Sequence, residues 1–318
     1  MKPTKNLLQN PLIVALGAVF CCALWGSATP FIKIGYALIL PEQNVPSAIL
    51  FAGVRFTLAG VLTILFYSIA RRKFLYPKRE NIKRIAAVSS FQTVIQYIFF
   101  YIGLANTSGV KGTVLSGSSA FFALLIASLV FRQEKLTLTK IAACLLGFCG
   151  IVVINLNGLD FTMNFTGDCF VLFSTIAYAV SSVLIKNYAK YEDTVIISGY
   201  QFLMGGVVMV LVGALCGGHM ALHGAAAFAV LVYLSFLSAT AYALWGVLLK
   251  YNPVSKVSVY NFCTPVFGVL LSNLMLTEQT GVAPLNLALT LVLISAGIVM
   301  LNYQKTKPEA SAAQTEQL

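Results

Sequence analysis

The sequence predicts an all-α integral membrane protein of ten transmembrane helices, arranged as two inverted five-helix repeats. Three observations carry this expectation. The first is composition: of 318 residues, 58% are hydrophobic and only 10% are charged, with a mean hydropathy of +0.86. A soluble domain has roughly 25% charged residues, so this chain cannot cover a globule with polar surface, and lipid is the expected solvent. The second is a set of ten apolar runs at 12–36, 47–70, 85–105, 110–131, 138–156, 168–187, 194–216, 225–249, 255–276 and 284–303. Each is near the length of about 20 residues that crosses ~30 Å of hydrocarbon. The third is a diffuse internal echo. Ser119–Glu134 matches Cys263–Glu278 at an offset of 144, Trp25–Lys33 matches Tyr178–Lys186 at 153, and Phe56–Gly60 matches Phe202–Gly206 at 146. Five spans per copy is an odd number, so the second copy enters the membrane from the opposite face. The expected repeats are 12–156 and 168–303, followed by a polar tail, 304–318, whose small residues predict disorder.

Taken in order, the first span carries Trp25 and Thr29 on one face just before Pro30, and it is too long, without a small-residue cleavage site, to read as a signal peptide. The second carries Arg55 roughly a third of the way in from the outer face, and a strongly basic stretch, Arg71 to Arg84, follows it. In the third, Gln92 and Gln96 lie four apart on one face, with Tyr97 and Tyr101 as a neighbouring stripe. The fourth has a small-residue face, Ser116, Ser119, Ala123 and Ala127, and ends at Arg132-Gln-Glu-Lys135. The fifth, containing Gly147-Phe-Cys-Gly150, closes the first copy. The sixth offers Ser174, Tyr178 and Ser181 before Lys186, and the seventh contains Phe202-Leu-Met-Gly-Gly206. The eighth spaces Ser238, Tyr242 and Trp245 helically. The ninth holds Asn261, Thr264 and Pro265 before Glu278, and the tenth contains Ala296-Gly297-Ile-Val.

The net charge of +11 is a matter of topology. With the amino terminus inside, Lys2, Lys5, Arg71, Arg72, Lys73, Lys78, Arg79, Lys83, Arg84, Arg132, Lys135, Lys140, Lys186, Lys190, Lys250, Lys256, Lys305 and Lys307 all fall on one side; Lys33 and Lys111 fall on the other, and Arg55 lies within a span. Such a Lys/Arg bias in short loops marks the cytoplasmic face. Both termini are therefore expected in the cytoplasm, in a multi-pass protein of the cell membrane, and nucleic acid is not an expected partner. The seven cysteines form no Cys-x-x-Cys unit and read as small core residues; only Cys169 and Cys216 lie near the outer surface, where a disulfide is conceivable. The connections are too short for a nucleotide-binding domain, no cofactor is implied, and a homodimer is allowed but not specified.

At these residues the chain resembles the EamA-type branch of the drug/metabolite transporter superfamily. The resemblance rests on Trp25-Gly26 with Lys33, Arg55-Phe56, the fourth-span run ending Gln133-Glu134, and Gly147-Phe-Cys-Gly150. The second copy repeats it in Tyr178-Ala179 with Lys186, Pro265 before Thr277-Glu278, and Ala296-Gly297. It extends over about residues 12 to 303, and its order and doubling carry it. The copies depart from each other where Gln201 stands for Arg55 and Phe121 for Pro265. The resemblance implies a carrier with a central cavity between the repeats, and relatives that move amino acids, other small metabolites, nucleotide sugars or vitamins.

Arg55 either attracts a carboxylate on an amphoteric solute or is satisfied by backbone carbonyls and snorkelling, since a charge at that depth costs about 2.5–3.5 kcal/mol on insertion scales. No Asp or Glu falls in the middle of a span, which removes the carboxylate that a cationic-drug exporter uses. The expected solute-binding set is Trp25, Thr29, Arg55, Gln92, Gln96, Ser119, Tyr178, Ser181, Tyr242, Trp245, Asn261 and Thr264. The small face of span four also suits a helix–helix contact, and Gln92 with Gln96 suits either cross-helix bonding or a wet cavity. Pro30 and Pro265 favour kinks or hinges. Glu134 and Glu278 read as helix-end anchors. His219 and His223 lack a third ligand, so no metal site is expected. The expected function is alternating-access transport of a small organic metabolite, an amino acid or related zwitterion, with export favoured. A multidrug exporter and an uncoupled facilitator are the alternatives. A membrane-embedded enzyme is remote, because paired carboxylates, His clusters or a nucleophile with its base are missing from the spans.

Overall fold

A computed structural model describes residues 7–156, 162, 164–275 and 283–302. Glu278 and the tail 304–318 lie outside the described residues. Within them the chain forms ten helical segments and no strand: α1 Pro11–Ile39, α2 Val45–Ala70, α3 Arg79–Ala105, α4 Gly109–Val130, α5 Leu138–Ile154, α6 Phe165–Tyr188, α7 Thr194–Leu215, α8 Gly224–Tyr251, α9 Val254–Met275 and α10 Pro284–Asn302. All but α5, which has 17 residues, are long and apolar enough to cross a bilayer by themselves. The chain is a multi-pass membrane protein.

Short polar side chains start these helices, as the orphaned N–H groups of a first turn require. The side-chain oxygen of Asn10 accepts from Leu12 N at 2.9 Å, with Pro11 in the first turn where its missing N–H costs nothing. Asn44 does the same for Ser47 N (2.9 Å), Ser108 for Lys111 N (3.2 Å), Thr137 for Lys140 N (3.3 Å), Asn164 for Gly167 N (3.0 Å) and Asp193 for Val195 N (2.9 Å). One expectation needs correcting. The stretch Arg71–Arg84 is not all connection: α3 begins at Arg79, and its polar first turns buries Ile85 against the core while Arg79 and Lys83 stay exposed.

The packing respects exchange of the two halves. α1 packs on α8 and α9, and α6, its counterpart, packs on α3 and α4. α2 packs on α7, and α5 packs on α10. Two three-helix groups result, α1/α8/α9 and α3/α4/α6, each drawing on both halves. At the seam between α2 and α7, Leu50 faces Gly213, Gly53 faces Val210, Thr57 faces Gly206 and Gly60 faces Leu203. Numbers that rise on one helix as they fall on the other mean antiparallel helices, as inversion demands. A Cβ on Gly53 would lie 2.5 Å from Val210 N, and one on Gly206 would lie 2.4 Å from Thr57 N. In lipid, where apolar side chains gain little by meeting each other, such close backbone approach is a main source of helix association.

Two kinds of irregularity differ from the expected pattern. Pro30 lies inside α1 without interrupting it, and Pro265 follows a short 3-10 turn, Val259–Phe262, so the break in α9 precedes the proline. Wider π turns occur in α3 at Ser90–Ile95, in α4 at Ile126–Val130 and at the start of α6 at Phe165–Cys169. The one in α3 carries Gln92. Turns of this kind recur at functional sites.

Candidate functional site

The two three-helix groups meet at mid-depth in an aromatic cluster. Trp25 of α1 packs edge-on against Tyr242 and Trp245 of α8, with ring centroids 5.0 and 4.9 Å away. The Tyr242 hydroxyl shares a 2.7 Å hydrogen bond with that of Tyr97 in α3, and its ring meets Phe202 of α7 at 4.9 Å. Phe56 of α2 completes the set, 4.5 Å from the Tyr97 ring and stacked on Phe202 at 5.1 Å. The Arg55 guanidinium lies 4.5 Å from the centre of the Phe56 ring. It is close enough to Tyr36, Tyr97, Tyr101 and Tyr242 to interact with them electrostatically. From the other side, Asn261 Nδ2 of α9 donates to the Tyr178 hydroxyl of α6 at 3.2 Å.

Polar groups buried here are left incompletely satisfied. Arg55 is 3% exposed, and its Nε and Nη1 have no partner. Both side-chain atoms of Gln92, the Oε1 of Gln96, the Nε1 atoms of Trp25 and Trp245, the Oγ of Ser238 and the Oγ1 of Thr264 are also buried and unpaired. A buried polar atom without a partner costs about 1–3 kcal/mol, so a group of them is a signature of bound solute or water. Indole and guanidinium N–H groups donate only. The group with the strongest demand therefore seeks an acceptor.

Of the expected residues, Trp25, Arg55, Tyr178, Tyr242, Trp245 and Asn261 come together through these contacts. Gln92, Gln96 and Thr264 contribute unpaired atoms. Ser119 is buried, Ser181 Oγ donates back to Tyr178 O at 2.7 Å, and Thr29 is exposed beside Gly268 of α9. Gln201, which replaces Arg55 in the second copy, is committed elsewhere: its Oε1 accepts from Thr93 Oγ1 at 2.6 Å, and its backbone carbonyl accepts from Ser89 Oγ at 2.8 Å. Tyr36 and Phe202 join the cluster without having been anticipated. Tyr36 sits near a span end, where tyrosine usually reads as an interfacial anchor, and nothing local marks it as inward-facing.

The basic rim, where the ends of α2, α4, α6 and α8 lie, ties the two groups together. Glu134 follows α4 and reaches across to α9, accepting from Ser255 N at 3.0 Å and from Ser255 Oγ, and pairs with Lys140 Nζ at 2.7 Å. It thus anchors more than its own connection. Lys186 Nζ of α6 donates to Asn252 O at 2.6 Å. At the opposite rim Asp168 pairs with Lys111 at 2.7 Å and accepts from Thr107 Oγ1 at 2.6 Å. Cys169 and Cys216 are free thiols, and among the described residues no group of His, Cys, Asp and Glu could hold a metal. Two surface clefts, of about 490 and 260 Å³, open at the basic rim beside Glu134 and beside Tyr67 and Arg71. The mid-depth cluster is the better candidate, because the donor-only groups converge there.

Burial pushes the Glu134 carboxyl up, but hydrogen bonds from Lys140 and Ser255 outweigh it and hold the group below its ordinary value. A lowered folded value means that the stabilisation is complete above the unfolded pKa of about 4.3 and is lost as the pH falls through the folded one. The expected result is that the melting temperature of wild type drops more steeply on acidification below that point than that of Glu134→Gln. Melts in detergent across this range check it, and parallel slopes would refute the assignment.

The pattern of the EamA-like transporter family matches residues 12–156 and 165–303. An uncharacterized transporter of Archaeoglobus fulgidus is 25% identical over 277 residues, covering 85% of this chain and 91% of that protein. The uncharacterized transporter YvbV of Bacillus subtilis is 25% identical, covering 94% of each. A WAT1-related chloroplastic protein of Arabidopsis thaliana is 24% identical, covering 84% of this chain and 67% of that one. A solved crystal structure shares the fold, with a TM-score of 0.73 at 17% identity over 92% of this chain and 96% of the other.

Proposed function

Given that the chain belongs to the EamA-like transporter family, and so is a membrane transporter of small solutes and not an enzyme, we propose that its solute is an amino acid or related zwitterion. The solute is exported by alternating access about the mid-depth cluster. One observation carries the reading: Arg55 and two indoles offer unpaired N–H groups in the same buried place, while every Asp and Glu among the described residues lies at a helix end or in a connection. A carboxylate satisfies those donors, through the charge-assisted bonds that arginine makes best. The Oε1 atoms of Gln92 and Gln96, with the tyrosine hydroxyls, accept from the ammonium end. The aromatic rings of Trp25, Tyr178, Tyr242 and Trp245 border the side chain, and the two helix groups rock about the site. Export follows the family analogy. The Lys/Arg bias supports cytoplasmic termini in the cell membrane.

The test is counterflow in liposomes of purified protein with a panel of labelled amino acids, alongside the amine and the amide derived from each, with and without an imposed pH gradient. Amino acids are expected to exchange, and their decarboxylated amines to fail. Transport of the amines, or inhibition by hydrophobic cations, would replace this reading with a multidrug exporter.

A further inference from the structure

We propose that the protein is an exchanger: the two helix groups change sides readily only with a carboxylate beside Arg55, so the loaded carrier turns over and the unloaded carrier is held. The inference rests on the carboxylate reading above and adds its coupling.

The argument is one of charge. The Arg55 guanidinium is a cation and only 3% exposed. Among the described residues, neither half of the chain offers it a counter-charge. Glu42, Glu80, Glu134, Asp168, Glu192 and Asp193 all stand in connections or first helical turns. The corresponding position of the second copy is Gln201, neutral and bonded to Thr93. The nearest groups are aromatic faces and hydroxyls, and the hydroxyls of Tyr97 and Tyr242 are bonded to each other.

Any passage between inward- and outward-open forms must shear the contacts that join the groups around this charge, Tyr97 to Tyr242 and Asn261 to Tyr178. While the site is open to one side, water solvates the guanidinium. In the closed form between the two, that solvation is gone. A solute carboxylate replaces it, neutralising the charge and accepting from Nε and Nη1. The unloaded carrier has no such substitute, so its passage carries the penalty of an uncompensated arginine at mid-depth, equivalent to a slowing of about a hundredfold. Coupling to protons near neutral pH would need a carboxyl or imidazole group at the same depth, and the described spans hold none there.

The test uses the full chain in liposomes in chloride-free sulfonate buffer, loaded with a labelled mixture of the twenty amino acids. Efflux is measured into buffer alone and into the unlabelled mixture. Wild type is expected to release label about a hundredfold faster into the mixture, Arg55→Gln to lose that difference, and Arg55→Lys to keep it. Wild-type efflux well above that of protein-free liposomes and equal into both media overturns the proposal. A second measurement needs no solute. Dyes are placed on Lys135→Cys and Lys250→Cys, exposed at the basic ends of α4 and α8, with Cys149 and Cys216 replaced by serine. Single-molecule energy transfer then reads how fast the unloaded protein interconverts. Faster interconversion in the background of Arg55→Gln supports the exchange rule even if no amino acid proves to be carried, an outcome that would sink only the amino-acid reading. Equal rates overturn the rule whatever the solute.

Discussion

Gly206→Leu is expected to abolish the folded protein or to lower its stability by roughly 3 kcal/mol or more, the upper end of overpacking costs. The reason is where the new atoms would go. The first of them, Cβ, already falls 2.4 Å from Thr57 N and 2.6 Å from Thr57 Oγ1. A backbone nitrogen inside α2 cannot swing away as a side-chain tip can, so the helices must separate. Separation opens the whole seam, because Gly53, Gly60 and Gly213 lie in the same register. The control is Gly109→Ala, whose Cβ meets nothing within 4 Å, and which is expected to be neutral. Thermal unfolding followed by size-exclusion chromatography in detergent separates the two. A wild-type melt for Gly206→Leu would mean that α2 and α7 do not meet as described.

Trp245→Phe is expected to cut transport efficiency by roughly 10- to 100-fold, and to cost about 1 kcal/mol or more of stability for the space left at a fully buried side chain. The substitution keeps an aromatic ring against Trp25, now 4.9 Å away, and deletes the indole N–H. That N–H has no partner in the protein, so its loss breaks no hydrogen bond within the fold. If it donates to a solute carboxylate, the deletion removes a hydrogen bond to a charged group, worth about 1.5–3 kcal/mol. Counterflow kinetics at matched expression measure the effect. Wild-type efficiency would take Trp245 out of the site and leave the position as core packing. Trp25→Phe offers the parallel experiment on the other indole.

The parts of this molecule that obey a local rule were readable in advance. Lipid demands helices of a certain length, so the apolar runs located the spans. Charge is costly at depth, so Arg55 stood out, and so did Gln92 and Gln96. What escaped depends on pairings far apart in sequence or on a broken period. Glu134 anchors Ser255, 121 residues away, and no local pattern announces that. Tyr36 turns inward at a span end where tyrosine more often faces the interface. The π turn at Ser90–Ile95 was hidden because helical spacing presumes an unbroken ladder; its place beside the close approach of Ser89 and Thr93 to Gly205 ties it to the packing of α3 on α7. The prolines were the opposite case: a strong local signal at Pro30 that α1 absorbs without a break.

Only two tryptophans occur in the chain, and both stand in the mid-depth cluster with their rings in contact. Emission excited at the red edge of absorption, where the 14 tyrosines are silent, therefore arises from the place where solute is proposed to sit. Titrating an unlabelled compound and watching the spectrum shift or quench surveys the chemistry of that place directly, with no chromophore added and no membrane crossed.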